Sequence, residues 1–216
     1  MDIHGICSRI YDSASAAVKS LTVESSPPES SYFPRDARDI YKTTFLLRQR
    51  LVLDLIPQIL DLAEYWTQTS VERSAKICVD DTSAAREQPY LVLPLSQHDC
   101  RWIRKICFTV ESCDQGWSSY PHDHGTYVNS WTWFDAKVKG PDGDFKHMVF
   151  ANVHAGRDYH IHRVQWTADS TDENEKKFFE HLLTGNELSL VPMARYAGWR
   201  NRVKNARIDV YFAAVR

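Results

Sequence analysis

After Gln88 apolar and polar residues alternate at period two through most of the chain, and this periodicity restricts the fold more than any other feature. Successive side chains of a strand point to opposite faces of a sheet, so the pattern implies strands with one face turned inward. In Ala206 to Val215, Ala206, Ile208, Val210, Phe212 and Ala214 share a face. In Trp102 to Glu111, Trp102, Ile106, Phe108 and Val110 share a face that Arg104 interrupts, with Lys105, Thr109 and Glu111 opposite. Thr126 to Val138 reads as one strand, with Val128, Phe134, Ala136 and Val138 on one side and Tyr127, Asn129, Trp131, Trp133 and Asp135 on the other. Further strands fit Met148 to His154, Tyr159 to Thr167 and Glu187 to Met193, while Glu173 to Leu183 reads as helix. Turn signals such as Pro141-Asp142-Gly143-Asp144 separate them, which predicts an antiparallel β-sandwich, jelly-roll-like in its connections.

The first part of the chain has helical spacing instead. Residues 3 to 21 place Ile6, Ile10, Ala14, Ala17, Val18 and Leu21 on one side of a helix. A linker over residues 22–38 follows, with Ser25-Ser26-Pro27-Pro28-Glu29-Ser30-Ser31 at its centre. Phe45, Leu46, Leu47, Leu51, Leu55, Ile59, Leu60, Leu62, Ala63 and Trp66 then recur at helical spacing, interrupted by Pro57. Proline breaks or kinks a helix, so two helices are expected to meet there. The fold class is α+β: a helical N-terminal region over residues 1–87 and a β-sandwich over residues 88–216.

Composition removes several functions. With 216 residues, 43% hydrophobic and 25% charged, the chain carries enough apolar mass for a core, which excludes wholesale disorder. Lys plus Arg number 26 against 28 Asp plus Glu, so no global field favours a nonspecific nucleic-acid binder. No run of about 18 apolar residues is present to span a membrane. Met1-Asp2-Ile3-His4-Gly5 lacks the basic start of a secretory signal, so a cytoplasmic location is expected. Five cysteines, odd in number and without a C-x-x-C, argue against a zinc ribbon and read as reduced thiols. No phosphate-binding loop, dinucleotide fingerprint, nucleophile elbow or H-E-x-x-H occurs, so nucleotide-dependent transfer, serine hydrolysis and zincin chemistry have no positive support in the sequence, and no cofactor is expected.

Three stretches could carry chemistry. Asp114 to Tyr127 is a polar and aromatic loop in which Gly116 and Gly125 permit unusual turns and His122 and His124 offer two imidazoles. Gly116, five residues and His122-x-His124 echo the first metal motif of cupins, but Val128 and Asn129 stand where its Glu belongs, and no metal is assigned. His160 and His162 share a strand face with His154 nearby, and the alternative is that these rings bond the backbone. The second stretch is the face of Tyr127, Asn129, Trp131, Trp133 and Asp135, where aromatic rings could stack on a ligand unless the helices cover them. The third, Met193 to Arg207, is basic with interleaved aromatics; Arg195 and Arg200 suit a carboxylate or phosphate and Trp199 suits stacking.

Asp114-Gln115-Gly116-Trp117, His124-Gly125-Thr126-Tyr127, Ser130-Trp131-Thr132-Trp133-Phe134, Ala197-Gly198-Trp199-Arg200-Asn201 and Ala206-Arg207-Ile208-Asp209-Val210-Tyr211 together resemble a large group of uncharacterised fungal proteins over residues 46 to 214. Ile56-Pro57 through Ala63-Glu64-Tyr65-Trp66 is similar to a degenerate F-box, and the β part to the sandwich of phloem-protein and F-box-associated recognition domains. The resemblance implies a fungal origin and a sandwich that binds glycans or protein tags.

Two readings of function follow. In the first, the sandwich recognises a small-molecule, glycan or protein ligand. Trp131, Trp133 and Trp199 stack on it, Asp114, Asn129 and Arg195 supply directed hydrogen bonds, and Trp117, Tyr127 and Arg200 complete the rim. In the second, a small cyclase or isomerase of fungal specialised metabolism uses His124 as general acid or base, oriented by Asp114 or Asp135, with Arg195 holding an anionic group. An adaptor role in ubiquitin ligation rests on the helix around Pro57 alone. The sequence leaves the oligomeric state open.

Overall fold

The computed structural model describes residues 34, 36–83, 87–141 and 143–214. The helix expected at residues 3–21 and nearly all of the linker lie outside them. Helix α1 (Ala37–Arg48) begins at Asp36, whose carboxylate accepts from the N–H groups of Arg38 at 2.9 Å and Asp39 at 3.0 Å. A 3-10 turn (Leu53–Leu55) leads into α2 (Ile56–Leu62). Pro57 sits in the first turn of α2, where its missing N–H costs nothing, so it starts a helix and does not kink one. The two helices are thus separated by a turn from Gln49 onward and do not meet at Pro57.

The rest is a sandwich of two antiparallel sheets. Its strands are β1 (Thr67–Arg73), β2 (Ile77–Asp80), β3 (Leu91–Pro94), β4 (Ile103–Cys113), β5 (Thr132–Gly140), β6 (Gly143–Ala151), β7 (His160–Thr167), β8 (Glu187–Ala194) and β9 (Arg200–Phe212). One sheet runs β1-β9-β4-β7 with β2 also paired to β9; the other runs β3-β8-β5-β6. The short α3 (Gln97–Cys100) precedes β4 and α4 (Glu173–Thr184) precedes β8. Among the described residues no helix is long and apolar enough to cross a membrane.

Two expectations are corrected here. The boundary at residue 88 is too late: β1 and β2 pair with the C-terminal β9, from Thr67 opposite Phe212 to Asp80 opposite Arg200. β1 is mostly polar and β2 is only four residues long, so neither carries the extended alternation that marks β4 or β9. The strand expected over residues 126–138 begins only at Thr132, because Pro121–Asp123 is a 3-10 turn and Asn129 has a positive φ of 53°.

Alternation otherwise sets the core. Ile106, Phe108 and Val110 of β4, Val164 and Trp166 of β7, and Ala206, Ile208 and Val210 of β9 face Phe134, Ala136 and Val138 of β5 and Leu188 and Leu190 of β8. Phe134 stacks on Phe150 at 4.9 Å, and Phe108 meets Trp166 edge-on at 5.0 Å. Helix α4, capped by Asp172 through Asn174 and Glu175, inserts Phe178 and Leu182 into the same cluster, where Phe178 meets Trp166 at 4.9 Å. Each fully buried side chain of this size contributes about 1.5–3 kcal/mol.

Helix α2 attaches at the beginning of β4. Asp61 accepts from Arg104 Nε at 2.9 Å and from Trp66 Nε1 at 2.7 Å, and Lys105 pairs with Glu64 at 2.8 Å. Those anchors lie at the opposite end of β4 from Cys113, where the loop rich in aromatic and polar residues begins. Tyr41, Phe45, Leu46, Leu53 and Leu62 of the helical segment stay exposed.

Candidate functional site

The inward rows that fill the core change character at one end of the sandwich. Val110 gives way to Ser112, Phe134 to Thr132, Phe150 to Asn152 and Val203 to Asn201, and all four polar side chains are fully buried. Their groups satisfy one another, as burial demands. Ser112 Oγ donates to Asn152 Oδ1 at 2.6 Å, and Asn152 Nδ2 donates to Thr132 Oγ1 and Asn201 Oδ1 at 3.0 Å each. Asn201 Nδ2 donates to the carbonyls of Trp133 at 2.9 Å and Met193 at 3.1 Å, which ties β9 of one sheet to β5 and β8 of the other.

Asp114 and Gln115 extend this network into the loops. The fully buried Asp114 carboxylate accepts from the N–H groups of Gln115 at 2.8 Å and Ala155 at 2.9 Å and from the Thr132 hydroxyl at 3.3 Å. Burial pushes its pKa up to about 6, against the pull of those donors. Gln115 donates to the Trp117 carbonyl at 2.7 Å and accepts from Arg200 N–H at 3.1 Å, so one side chain fixes the loop after β4 to the start of β9. Gly116 is at φ +92°, and a Cβ there would lie 3.0 Å from Arg157 Cβ. Gly198 is at φ +90°, and a Cβ there would lie 3.2 Å from Trp117 Cη2.

A hydroxyl and two imidazoles form the centre of the loop surface. His154 is fully buried; its Nδ1 is 2.7 Å from the Val128 carbonyl and its Nε2 2.6 Å from Ser118 Oγ. His124 Nε2 reaches the same oxygen at 3.1 Å from the exposed side. Trp199 meets the His154 ring edge-on at 5.2 Å. Around them Trp117, Tyr120 and Tyr196 are each at least half exposed, and Arg157, Arg195 and Arg200 are exposed. The Arg195 guanidinium lies 5.3 Å from the Tyr196 ring centre, and Tyr196 meets Trp131 edge-on at 4.8 Å.

The fold therefore gathers Asp114, Trp117, His124, Trp131, Arg195, Trp199 and Arg200 at one end, from three chain segments. The single aromatic face expected from Tyr127 to Asp135 does not exist, because the strand starts too late to hold it. Tyr127 turns toward the buried His162, Asn129 donates to Asp123 at 2.7 Å, and Trp133 Nε1 donates to Asp135 at 2.8 Å. Asp135 is itself buried, which pushes its pKa up to about 6 although the Trp133 N–H and Lys146 pull it down. Among the described residues no hydrogen bond joins His124, Asp114 and Asp135, and the partner of His124 is Ser118.

His154 does not cluster with His160 and His162, since both its ring nitrogens bond within the loops. Among the described residues no three His, Cys, Asp or Glu side chains are placed to hold a metal ion. Ser118, the role of His154, Gln115, Asn152 and Asn201 were not singled out by sequence reasoning. The Asn, Ser and Thr positions carried a signal: each continues an inward-facing apolar row with a polar residue. Ser118 carried none, because its partner lies 36 residues away.

No family model and no curated protein matches the chain. Among solved structures, a serine protease of Aeromonas sobria aligns with 74% of this chain and 30% of its own at 10% identity, with a TM-score of 0.26. The chain spans less than a third of that protein, and a likeness so slight carries no argument.

Proposed function

We propose that the loop end of the sandwich is a recognition surface for a glycan or protein ligand. The observation that carries this is the contrast between fixed backbone and exposed rings. Asp114, Gln115, Asn152 and Asn201 spend their hydrogen bonds holding the loops, while Trp117, Tyr120 and Tyr196 stay open to solvent. Large rings held this way contact a partner without losing much side-chain freedom, which is where binding surfaces concentrate affinity. Aromatic faces suit the C–H faces of sugar rings or the apolar anchors of a protein, and Arg157, Arg195 and Arg200 supply directed donors to hydroxyl or carboxylate oxygens. The resemblance to phloem-protein and F-box-associated recognition domains supports the same reading.

The test is a panel of immobilised oligosaccharides and peptides probed with the wild-type chain and with Trp117→Ala/Tyr196→Ala. Binding that is saturable for wild type and at least tenfold weaker for the double variant is expected. A ligand bound equally well by both would remove the proposal. A second reading rests on the exposed apolar residues of α1 and α2, which suit docking to an adaptor in ubiquitin ligation. Failure of the full chain to retain such an adaptor in solution would dismiss it.

A further inference from the structure

Ser118 has more directed partners than a loop hydroxyl needs for its own turn. Its Oγ accepts from Tyr120 N–H at 3.0 Å, lies 2.6 Å from His154 Nε2 and lies 3.1 Å from His124 Nε2. The roles can be assigned from the bonding. The Val128 carbonyl, 2.7 Å from His154 Nδ1, can only accept, so Nδ1 carries the hydrogen and Nε2 of the neutral ring offers its lone pair. The Ser118 hydroxyl therefore donates to His154, and its own lone pairs face two donors, Tyr120 N–H and His124 Nε2–H. A hydroxyl against a ring nitrogen, with the ring held in the correct tautomer by a third group, is the arrangement that activates a nucleophile. Here the third group is a backbone carbonyl. His154 is fully buried and held through its own backbone, whose carbonyl accepts from Gly125 N–H at 3.0 Å and whose N–H donates to Thr126 at 2.7 Å. Ser118 itself is partly exposed, and Trp117 and Tyr120, which flank it in the chain, have exposed rings.

We propose that Ser118 is a nucleophile for acyl transfer from carboxylic esters whose apolar or aromatic part lies against Trp117 and Tyr120. As the ester binds, His124 Nε2–H passes from Ser118 Oγ to the ester carbonyl oxygen, and the Oγ lone pair so freed bonds to the carbonyl carbon as the hydroxyl proton passes to His154 Nε2. The tetrahedral intermediate collapses by breaking the bond to the leaving alkoxide, which takes that proton from His154. Water then adds to the acyl-serine by the same route, releasing the carboxylic acid and restoring Ser118. His124 Nε2–H, on the exposed side of Oγ, stabilises the charge that develops on the carbonyl oxygen. The proposal shares Trp117 and Tyr120 with the recognition reading but is decided separately, because it stands or falls at Ser118 while recognition is read from Trp117→Ala/Tyr196→Ala.

The experiment uses the full chain with p-nitrophenyl butyrate as substrate and an alkyl fluorophosphonate as covalent probe. Release of p-nitrophenolate is expected to fall at least tenfold in Ser118→Ala and to be unchanged in Ser119→Ala, with the phosphonyl adduct mapping by peptide mass spectrometry to Ser118. A third variant, Ser118→Cys, keeps the relay and should react with iodoacetamide at least tenfold faster than the exposed Cys78 of the same molecule. Wild-type protein of native circular dichroism that shows no adduct at Ser118, and releases p-nitrophenolate no faster than Ser118→Ala, would overturn the proposal. Alkylation of Ser118→Cys no faster than that of Cys78 would overturn it as well.

Discussion

The middle of the sandwich and its loop end bury side chains equally well between the same two sheets, yet they do so by different physics. In the middle Phe108, Phe134, Leu188, Leu190 and Ile208 contribute through area removed from water, which is non-directional and tolerates changes of shape. At the loop end Ser112, Thr132, Asn152 and Asn201 contribute through bonds whose geometry admits one arrangement. Net stabilisation per hydrogen bond is only about 0.5–1.5 kcal/mol, so the polar end adds little to stability compared with an apolar replacement. What it adds is position: the strand ends are locked in one relation, and the loops that carry Trp117, Ser118 and Trp199 inherit it.

The bluntest way to break the comparison is Phe134→Ala. The ring is fully buried and stacked on Phe150, and its loss should cost about 3–5 kcal/mol, read as a lower denaturant midpoint. Next comes Asn201→Ala, which strips donors from two main-chain carbonyls and an acceptor from Asn152. Leaving buried groups unpaired costs about 1–3 kcal/mol each before relaxation, so a loss of about 2–4 kcal/mol is expected. If the two regions differ as described, Ile208→Val in the middle costs only about 0.5–1.5 kcal/mol. In hydrogen exchange, Asn201→Ala should loosen residues 114–130 and 195–200 well before β4, whereas Phe134→Ala should loosen both together.

The middle was legible in the sequence and the end was not, for reasons that follow from this difference. Alternation at Ala206, Ile208, Val210 and Phe212 is a local pattern, and it placed β9 and its inward face. The sandwich class followed from the same kind of pattern in β4, β7 and β8. Strands β1 and β2 were missed because their register is imposed by β9, more than a hundred residues away, and not by their own residues. The loop end is non-local throughout: Asp114 meets Ala155, Gln115 meets Arg200 and Ser118 meets His154. Reading Tyr127 to Asp135 as a strand extended a sound pattern past its physical end, into a segment where Asn129 adopts a left-handed backbone.

Acid tests the border between the two regions, where His162 is packed as though it were hydrocarbon. Its ring stacks on Phe150 at 4.4 Å, and its buried Nε2 has no hydrogen-bond partner among the described residues. Burial, with some help from His160, pulls its pKa down to about 4 from an ordinary 6.5. Above pH 6.5 the ring is neutral whether the chain is folded or not. As pH falls through 6.5 the unfolded chain binds a proton that the fold refuses, so stability is lost progressively down to about pH 4. Asp114 and Asp135, raised to about 6 from 3.8, act with the opposite sign: their contribution is fullest below 3.8 and is lost as pH rises through 6. The wild-type profile between pH 7.5 and 5 should therefore be shallow. Replacing the ring by His162→Phe removes only the acid-sensitive part, so the variant should gain about 2 kcal/mol on wild type between those two pH values in urea titrations. A gap that does not widen toward pH 5 would mean that His162 finds a proton partner in the fold.

The smallest stability effect is expected where the functional effect is largest. Trp117 is 57% exposed, and the bond that fixes its position is made by its backbone carbonyl to Gln115, which any residue at that position retains. Its side chain touches the neighbourhood of Gly198, so Trp117→Ala opens space at the surface and leaves no buried group unpaired. The denaturant midpoint should move by less than the equivalent of about 0.5 kcal/mol. Ligand affinity should nevertheless fall at least tenfold, because a large ring with few side-chain torsions on a fixed backbone loses little freedom on contacting its ligand. Gly198→Ala then sharpens the contrast: it leaves Trp117 in place but forces a side chain into a φ of +90° and toward the Trp117 ring, so it should lower both stability and affinity. If Trp117→Ala instead destabilised the chain as much as Asn201→Ala, the exposed rings would belong to the same structural network as the buried amides. The division of labour between a fixed polar scaffold and the surface it presents would then not hold.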